Sequence, residues 1–458
     1  MRYTQFALAV MAAAVLSACG GGGASGGDQT TKVKFTSQVS FGDSLSDVGT
    51  YAVGTIKALG GGKFTINGDN TAINAALTGK NWTELMAAQF GLAAPCPAQT
   101  GLNGSAALGL SVAVVNHAGC LSYAQGGARV TAPVGPGNAV LGSALGALTV
   151  PVTTQIQNHL AAVGGAFSGN EIVFVMAGGN DVLYQLAALS AAATAAGTAA
   201  GQTAFATSLI GQLAAGATNP ATAAQAIGLA VATASAASGA TTTSIVTAAV
   251  TAAAQQAGNS AVASATVYGP MVVTATAAAT TAGATAGANY ATTNGPALVT
   301  AMATAGAETV ALVKDQMLAK GAKYVTVNNL PDIANTPAGL AESASTQALI
   351  KAMVTAYNSQ LTSGFAGESR VLVVDVYAVS HDQATNPGPY GLTNVTDTAC
   401  DLTAAKNAFD SSIACTAANL KAGDVSHYAY ADDVHPTPFN NLLLARYVSE
   451  KMVVKGWL

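Results

Sequence analysis

Short runs of consecutive apolar residues recur along this chain and are separated by longer segments with helical spacing of apolar positions. The runs of strand length cover residues 34–41, 112–116, 172–176, 324–328 and 371–376. The last three are continuous and rich in Val and Ile, which is typical of strands buried on both faces of a parallel sheet. The candidate helices cover residues 82–90, 308–320, 341–365 and 440–454. This alternation predicts an α/β protein with a doubly wound parallel sheet of about five strands.

One long segment departs from this pattern. Between Asp181 and Glu308 the sequence contains no Asp, Glu, Lys, Arg or His. We interpret residues 184–307 as an Ala-, Thr- and Gly-rich insertion that is mainly helical, because Ala favours helix while Thr and Gly weaken it. Its candidate helices are residues 183–195, 221–236 and 244–257. The insertion is interpreted as a helical cap or a partly disordered arm, as an uncharged surface that meets lipid or an insoluble polymer, or as a membrane span. The span is disfavoured because Ala and Thr are weakly apolar.

The charge composition limits the kinds of molecule that the protein is expected to bind. Only 8% of the 458 residues are charged, against about 25% in typical globular domains. The net charge is −4 and basic residues are not clustered, so we expect no nucleic-acid partner.

The N-terminus predicts export. Arg2 precedes an apolar run at residues 6–16, which is too short to span a bilayer. Residues 1–18 are therefore predicted to be a signal peptide, and residues 19–33 a Gly-rich tether. The sequence Leu-Ser-Ala-Cys at positions 16–19 resembles the bacterial lipobox, which implies cleavage before Cys19 and lipid attached to that cysteine. Because no Asp follows Cys19, we expect an outer-membrane lipoprotein; an ordinary signal peptide would give a periplasmic or secreted protein instead.

The other cysteines agree with an oxidising compartment. They are Cys96, Cys120, Cys400 and Cys415, and an even number in an exported chain predicts two disulfides. Proximity in sequence favours Cys96–Cys120 and Cys400–Cys415, although four cysteines allow three connectivities.

A serine at the end of the first predicted strand is the first candidate for chemistry. The sequence FGDSLSD occupies positions 41–47 and presents Ser44 after a Gly-Asp turn. A serine nucleophile needs a base to take its proton and donors to hold the charge that develops on the substrate.

Three later motifs could supply those groups. In DDVHPT at positions 432–437, Asp432 lies three residues before His435, which on a helical turn would allow the carboxylate to orient the imidazole. In GGND at positions 178–181, Asn180 could direct a side-chain N–H at an oxyanion, although a plain strand-to-helix turn would look the same. In SYAQGGAR at positions 122–129, paired glycines could expose a backbone N–H. His427 is the rival candidate for the base.

Taken together and in this order, the four motifs resemble the blocks of the SGNH, or GDSL, hydrolases, in their bacterial lipase/esterase branch. The resemblance covers roughly residues 35–183 and 308–458, but not the insertion. It implies that residues 34–458, interrupted by the insertion, form a three-layer α/β/α flavodoxin-like hydrolase domain. It also implies that Ser44 is the nucleophile, His435 the base and Asp432 its orienting carboxylate, with an oxyanion hole made by Ser44, Gly127 and Asn180. The family often has Asn where this chain has Ser122, so Gly126 stays an alternative donor.

The expected function is hydrolysis of carboxylic esters by an exported serine esterase or lipase, without a metal or organic cofactor. A lipid, a small ester and a polymer are all open as the substrate. Two alternatives are an acyltransferase that uses the same acyl-enzyme and a non-catalytic envelope or adhesive lipoprotein.

Overall fold

The computed structural model describes residues 32–68 and 77–458. The signal peptide, Cys19 and most of the predicted tether therefore lie outside the described residues. The strands are β1 (Gln38–Gly42), β2 (Gln99–Asn103), β3 (Ser111–Asn116), β4 (Ile172–Met176), β5 (Tyr324–Asn328), β6 (Val371–Val374), β7 (Asn394–Thr398) and β8 (Tyr428–Tyr430). The helices are α1 (Gly54–Ala58), α2 (Trp82–Gln89), α3 (Val152–Ala162), α4 (Gly179–Ala214), α5 (Pro220–Ala236), α6 (Thr242–Ala254), α7 (Ala265–Ala311), α8 (Pro337–Ala341), α9 (Ala344–Gly364), α10 (Val376–Thr385) and α11 (Pro438–Lys455).

A parallel four-stranded sheet with the order β1-β4-β5-β6 lies at the centre of a mixed α/β fold. Alternate residues of β4 point to opposite faces of this sheet. Val173 and Val175 pack with α3, α7 and α9 on one face. Phe174 and Met176 pack with α2, α10 and α11 on the other. Because helices cover both faces, the strands are largely buried, which explains their continuous Val- and Ile-rich sequences.

The prediction for residues 112–116 was wrong about the sheet to which they belong. They form β3, which pairs antiparallel with β2 in a separate two-stranded sheet. Most of β3 is exposed, so it is not a core strand despite its valines. At the outer edge of β1, Ser40 pairs with Ser122 in an isolated parallel bridge instead of with a full strand. In this bridge the Tyr123 N–H donates to Ser40 O at 2.8 Å. The parallel sheet therefore has four strands instead of about five.

The uncharged segment is helical from end to end, apart from short turns. Apolar side chains of α4, α5, α6 and α7 form a core of their own, centred on Leu209, Leu213 and Ile227. Small residues let α4 and α7 approach closely: a Cβ on Gly197 would lie 2.8 Å from the carbonyl oxygen of Gly283. Beyond Ala311 the chain continues in a π-helical segment, Leu312–Met317. The helix α4 starts just after β4, and α7 continues through the π-helical segment toward β5, so both long helices are directly connected to the parallel sheet.

Two described helices are long and apolar enough to cross a membrane by length and composition, Gly179–Ala214 and the one that runs from Ala265 to Lys320. This is weak evidence, because core helices of soluble proteins meet the same criteria. In the structure the two helices pack against each other.

Both disulfides join the cysteines that sequence proximity favoured. Cys96 is bonded to Cys120 and Cys400 to Cys415. These bonds are compatible with an extracellular or periplasmic location.

Candidate active site

Ser44 lies just beyond the carboxyl end of β1, where ligands bind in open parallel sheets. The turn that presents it requires Gly42, which has a φ of +145° and whose Cβ would lie 2.0 Å from the carbonyl oxygen of Met176. The buried side chain of Gln155 fixes this turn, because its amide donates to Gly42 O and accepts from Gly42 N, both at 2.8 Å. Ser44 is 9% exposed, so its hydroxyl is held in a largely dry position.

The three residues predicted to form a catalytic triad are in contact. Ser44 Oγ lies 2.8 Å from His435 Nε2. His435 Nδ1 lies 2.8 Å from each carboxylate oxygen of Asp432. The ring of Phe64 packs 4.9 Å from the imidazole, centre to centre. With one nitrogen facing the carboxylate and the other facing the hydroxyl, His435 is oriented to take the serine proton.

The sequence predicted that a helical turn would bring Asp432 within reach of His435, and this prediction was wrong. The segment is an irregular bend in which Asp432 Oδ1 accepts the backbone N–H groups of Val434 and His435 at 3.1 and 2.8 Å. Pro436 disfavours helical backbone at His435. Helix α11 starts only after Thr437, whose hydroxyl accepts the Asn440 N–H, with Pro438 as its first residue.

Asp432 remains a carboxylate although it is buried. Burial acts to raise its pKa, but the charge of His435 and the hydrogen bonds from His435 and Ser412 outweigh that effect and hold the pKa below its usual value. The Ser412 N–H donates to Asp432 Oδ2 at 2.6 Å. The negative charge is thus retained where it stabilises a protonated imidazole.

Gly126 and Gly127 differ in whether the backbone N–H group already has an acceptor. The Gly126 N–H donates to the side chain of Asp47 at 2.9 Å and is therefore occupied. Within the part of the chain that the structure describes, the Gly127 N–H has no hydrogen-bond acceptor. Gly127 has a φ of +77°, and a Cβ there would lie 2.2 Å from the carbonyl oxygen of Pro136, so only glycine fits. Gly127 is consequently the available donor of the two.

Asn180 and the backbone of Ser44 complete the candidate oxyanion hole. Asn180 is in the first turn of α4, and its side-chain amide donates to Ala128 O at 2.9 Å. An amide group has two N–H donors, so one remains for a ligand. The Ser44 N–H likewise has no acceptor among the described residues. All three donors line one cavity with His435.

Two buried carboxylates hold the loop that carries Gly127. Asp47 accepts the N–H groups of Gly49, Thr50 and Gly126 at 2.8–2.9 Å. Asp181 accepts from Arg129 Nε at 2.9 Å and from Val130 N at 3.0 Å. Sequence reasoning assigned no role to Asp47, although the residue stands in the quoted FGDSLSD motif. Its signal is that it is an ionisable residue within that motif.

Asp43 is the titratable group next to the nucleophile. Burial raises its pKa to about 7, and the N–H of Leu45 and the charge of His435 only partly oppose this. Asp43 Oδ1 accepts the Leu45 N–H at 3.1 Å. Its carboxyl group therefore changes protonation near neutral pH.

The cavity beside Ser44 has a volume of about 290 Å³. Outside the polar groups described above, most of its wall is apolar. The apolar residues include Leu45, Phe64, Leu145, Leu183, Leu330, Ile333, Phe409 and Ile413. Such a lining favours an uncharged, hydrocarbon-rich ligand over a charged one.

The remaining histidines lie elsewhere. His427, the rival base, packs against the ring of Phe439 and has no hydrogen bond to Ser44 among the described contacts. His159 is buried, which lowers its pKa to about 4. His381 Nδ1 lies 2.7 Å from the buried carboxylate of Asp332, a second acid–imidazole pair that sequence reasoning missed because 49 residues separate its members.

Among the described residues, no group of three or more His, Cys, Asp or Glu side chains is placed to hold a metal ion. Neither the known protein-family models nor the curated protein sequences include a match to this chain. Any assignment of activity therefore depends on the site itself.

Proposed function

We propose that this protein is a serine hydrolase that cleaves carboxylic esters through an acyl-enzyme on Ser44. The observation that carries the proposal is the unbroken line from Ser44 Oγ through His435 to Asp432, with each contact at 2.8 Å. A hydroxyl, an oriented imidazole and a buried carboxylate in this order are the groups that acyl transfer requires.

The first half of the reaction forms the acyl-enzyme. The Ser44 oxygen attacks the ester carbonyl carbon as the hydroxyl proton passes to His435 Nε2. The N–H groups of Ser44, Gly127 and Asn180 bind the resulting oxyanion. The carbonyl then re-forms, the bond to the alcohol oxygen breaks, and that oxygen takes the proton from His435.

The second half releases the acid. Water attacks the acyl carbonyl and gives its proton to His435, which then returns it to Ser44 Oγ as the ester bond to the enzyme breaks. Asp432 stabilises the imidazolium in both halves because it stays ionised while buried. The same three donors bind both oxyanions.

The four ordered motifs support a finer assignment to the SGNH, or GDSL, hydrolases. Within that assignment, the parallel sheet covered by helices on both faces is the core of the flavodoxin-like domain. The insertion is residues 184–307, which begin after the first turn of α4 and end near the end of α7. We further propose that the protein is exported and lipid-anchored through Cys19 and acts at the cell envelope. The lipobox-like sequence before Cys19 and the two disulfides support this location.

The test is hydrolysis of p-nitrophenyl esters by purified protein, with Ser44→Ala and Ser46→Ala compared. Ser46 is also buried, and its hydroxyl has no hydrogen-bond partner among the described residues, so it is a matched control. We expect Ser44→Ala to abolish turnover and Ser46→Ala to retain it. Equal activity of wild type and Ser44→Ala would refute the proposal.

A further inference from the structure

A second, larger cavity lies next to the one beside Ser44. It is a groove of about 1070 Å³, slightly above the range of about 300–1,000 Å³ that is usual for small-molecule sites. Leu183 and Ile333 line both the catalytic cavity and this groove. The catalytic cavity is small, so a long substrate that reacts at Ser44 must extend beyond it, and the groove starts at its wall.

The groove runs between the uncharged helices and the main body. Leu186 and Leu189 of α4 line one side, Pro296 and Val299 of α7 another, and Leu349 of α9 a third. Along α4 it reaches from Leu183 to Ala193, a distance of about 15 Å at the helical rise per residue. The walls thus form an elongated channel rather than a compact pocket.

The chemistry of the groove suits a hydrocarbon chain. Glu342 is the one charged residue along its wall within the described part of the chain. Several of its hydroxyls already have partners: Thr292 donates to Ala288 O at 2.9 Å, and Ser343 bonds to Ser345 and Thr346 at 2.9 Å. A sugar or phosphate would lose hydration there and gain only a few hydroxyl partners, whereas methylene groups gain by burial.

We propose that this groove binds the acyl chain of a long-chain carboxylic ester while the carbonyl group lies at Ser44. The inference rests on the proposed function and specifies its substrate class. The proposal assigns a function to the uncharged helices α4 and α7, which supply walls of the acyl-binding groove. Among the residues that the structure describes, none in the parallel sheet lines this groove.

The test narrows the groove with a bulky side chain. Ala187 and the adjacent Ala188 are both exposed, but only Ala187 lines the groove. On p-nitrophenyl acetate, butyrate, octanoate and palmitate, wild type should have a higher kcat/KM for the longer esters. Ala187→Trp should lower kcat/KM for the palmitate ester about tenfold or more and leave the acetate ester within about twofold, because the lost methylene contacts lie far from the carbonyl. Ala188→Trp should match wild type on all four.

A second pair of variants, on α7, keeps the test valid if Ala187→Trp fails to fold. Ala291 lines the groove from α7, and Ala297 is an exposed residue of the same helix that does not. Ala291→Trp should reproduce the chain-length effect and Ala297→Trp should not. Trp variants in the groove that cleave long and short esters as wild type does would overturn the groove assignment while the esterase proposal stands.

Binding without turnover separates the two proposals. Ser44→Ala protein should bind the fluorescent fatty acid cis-parinaric acid, and Ala187→Trp in that background should weaken binding about tenfold. If this binding is seen but wild type cleaves no ester of any length, the proposed function fails and the acyl-binding groove is supported. If neither groove variant alters binding, the groove proposal fails regardless of the activity.

Discussion

Replacing Asp47 by Asn should slow catalysis although, among the described residues, the Asp47 side chain forms no hydrogen bond to the side chains of Ser44, His435 or Asp432. Its two oxygens accept three backbone N–H groups, and the one from Gly126 fixes the residue directly before the free Gly127 N–H. Asparagine has a single acceptor oxygen and adds two donors, so in this buried site its NH₂ group would face at least one backbone N–H. An unsatisfied buried group costs about 1–3 kcal/mol of stability.

The catalytic cost follows from the displaced donor. Loss of one oxyanion donor typically costs about 2.7–4 kcal/mol, or 10²–10³ in kcat. We therefore expect Asp47→Asn to lower kcat by about 10²-fold with little change in KM, because an oxyanion donor acts mainly in the transition state. Steady-state kinetics on a p-nitrophenyl ester measure this, and urea unfolding measures the accompanying loss of stability.

A variant destabilised elsewhere separates the two effects of Asp47→Asn. Asn259 is buried in the helical insertion, and its amide donates to Leu213 O and Ala253 O at 2.8 and 2.9 Å. Asn259→Ala should lower the free energy of unfolding and leave kcat close to wild type. If Asp47→Asn is destabilised but keeps kcat within about twofold of wild type, Asp47 does not position the Gly127 donor and the reasoning is refuted.

Three further predictions concern the site and its supports. Asn180→Ala should lower kcat by about 10²–10³-fold and lower the free energy of unfolding in urea by about 1–3 kcal/mol, because the buried Ala128 O loses its donor; full esterase activity would show that Asn180 is not an oxyanion donor. Because burial raises the pKa of Asp43 to about 7, its contribution to stability is present below about pH 4 and is lost as pH rises through about 7. Asp43→Asn should remove that fall in urea-unfolding experiments across this range, and an unchanged pH profile would contradict the assignment. Replacing both Cys400 and Cys415 by Ser should cost about 3 kcal/mol, as estimated for a 15-residue loop. It should also lower kcat, since that loop supplies the Ser412 N–H to Asp432; an unaltered kcat in the folded double variant would show that the loop does not position Asp432.

The sheet was the most predictable part of the fold. Residues 172–176 and 324–328 coincide with β4 and β5, because strands buried on both faces have continuous apolar sequences. Residues 112–116 have a similar sequence, but their partner strand β2, QTGLN, shows no apolar pattern. Nothing in the local sequence could therefore assign β3 to a separate antiparallel sheet.

The insertion was predictable as helix but not in its extent. The predicted helices at residues 221–236 and 244–257 coincide closely with α5 and α6. The predicted helix at residues 183–195 covers only part of α4, which has 36 residues, and no helix was predicted for most of α7, which has 47. A weakly periodic Ala- and Thr-rich sequence does not show where a helix ends. The close approach of α4 and α7 depends on glycines that meet only in the folded protein.

The contacts of the candidate site were predictable where motifs marked them. The order of the motifs brought Ser44, Asp432 and His435 together as candidates, and the structure places them in contact. The choice between Gly126 and Gly127 was not predictable, because it depends on which N–H Asp47 occupies. The catalytic roles themselves remain a prediction.

The nucleophilic serine is the central claim, and covalent labelling tests it most directly. Protein treated with a fluorophosphonate probe should gain the mass of one probe, and peptide mass spectrometry should place that mass on Ser44. Ser44→Ala should take up none, while Ser46→Ala should label as wild type does. A wild-type protein that is folded but unlabelled, or a Ser44→Ala protein that is still labelled at the same rate, would contradict the account.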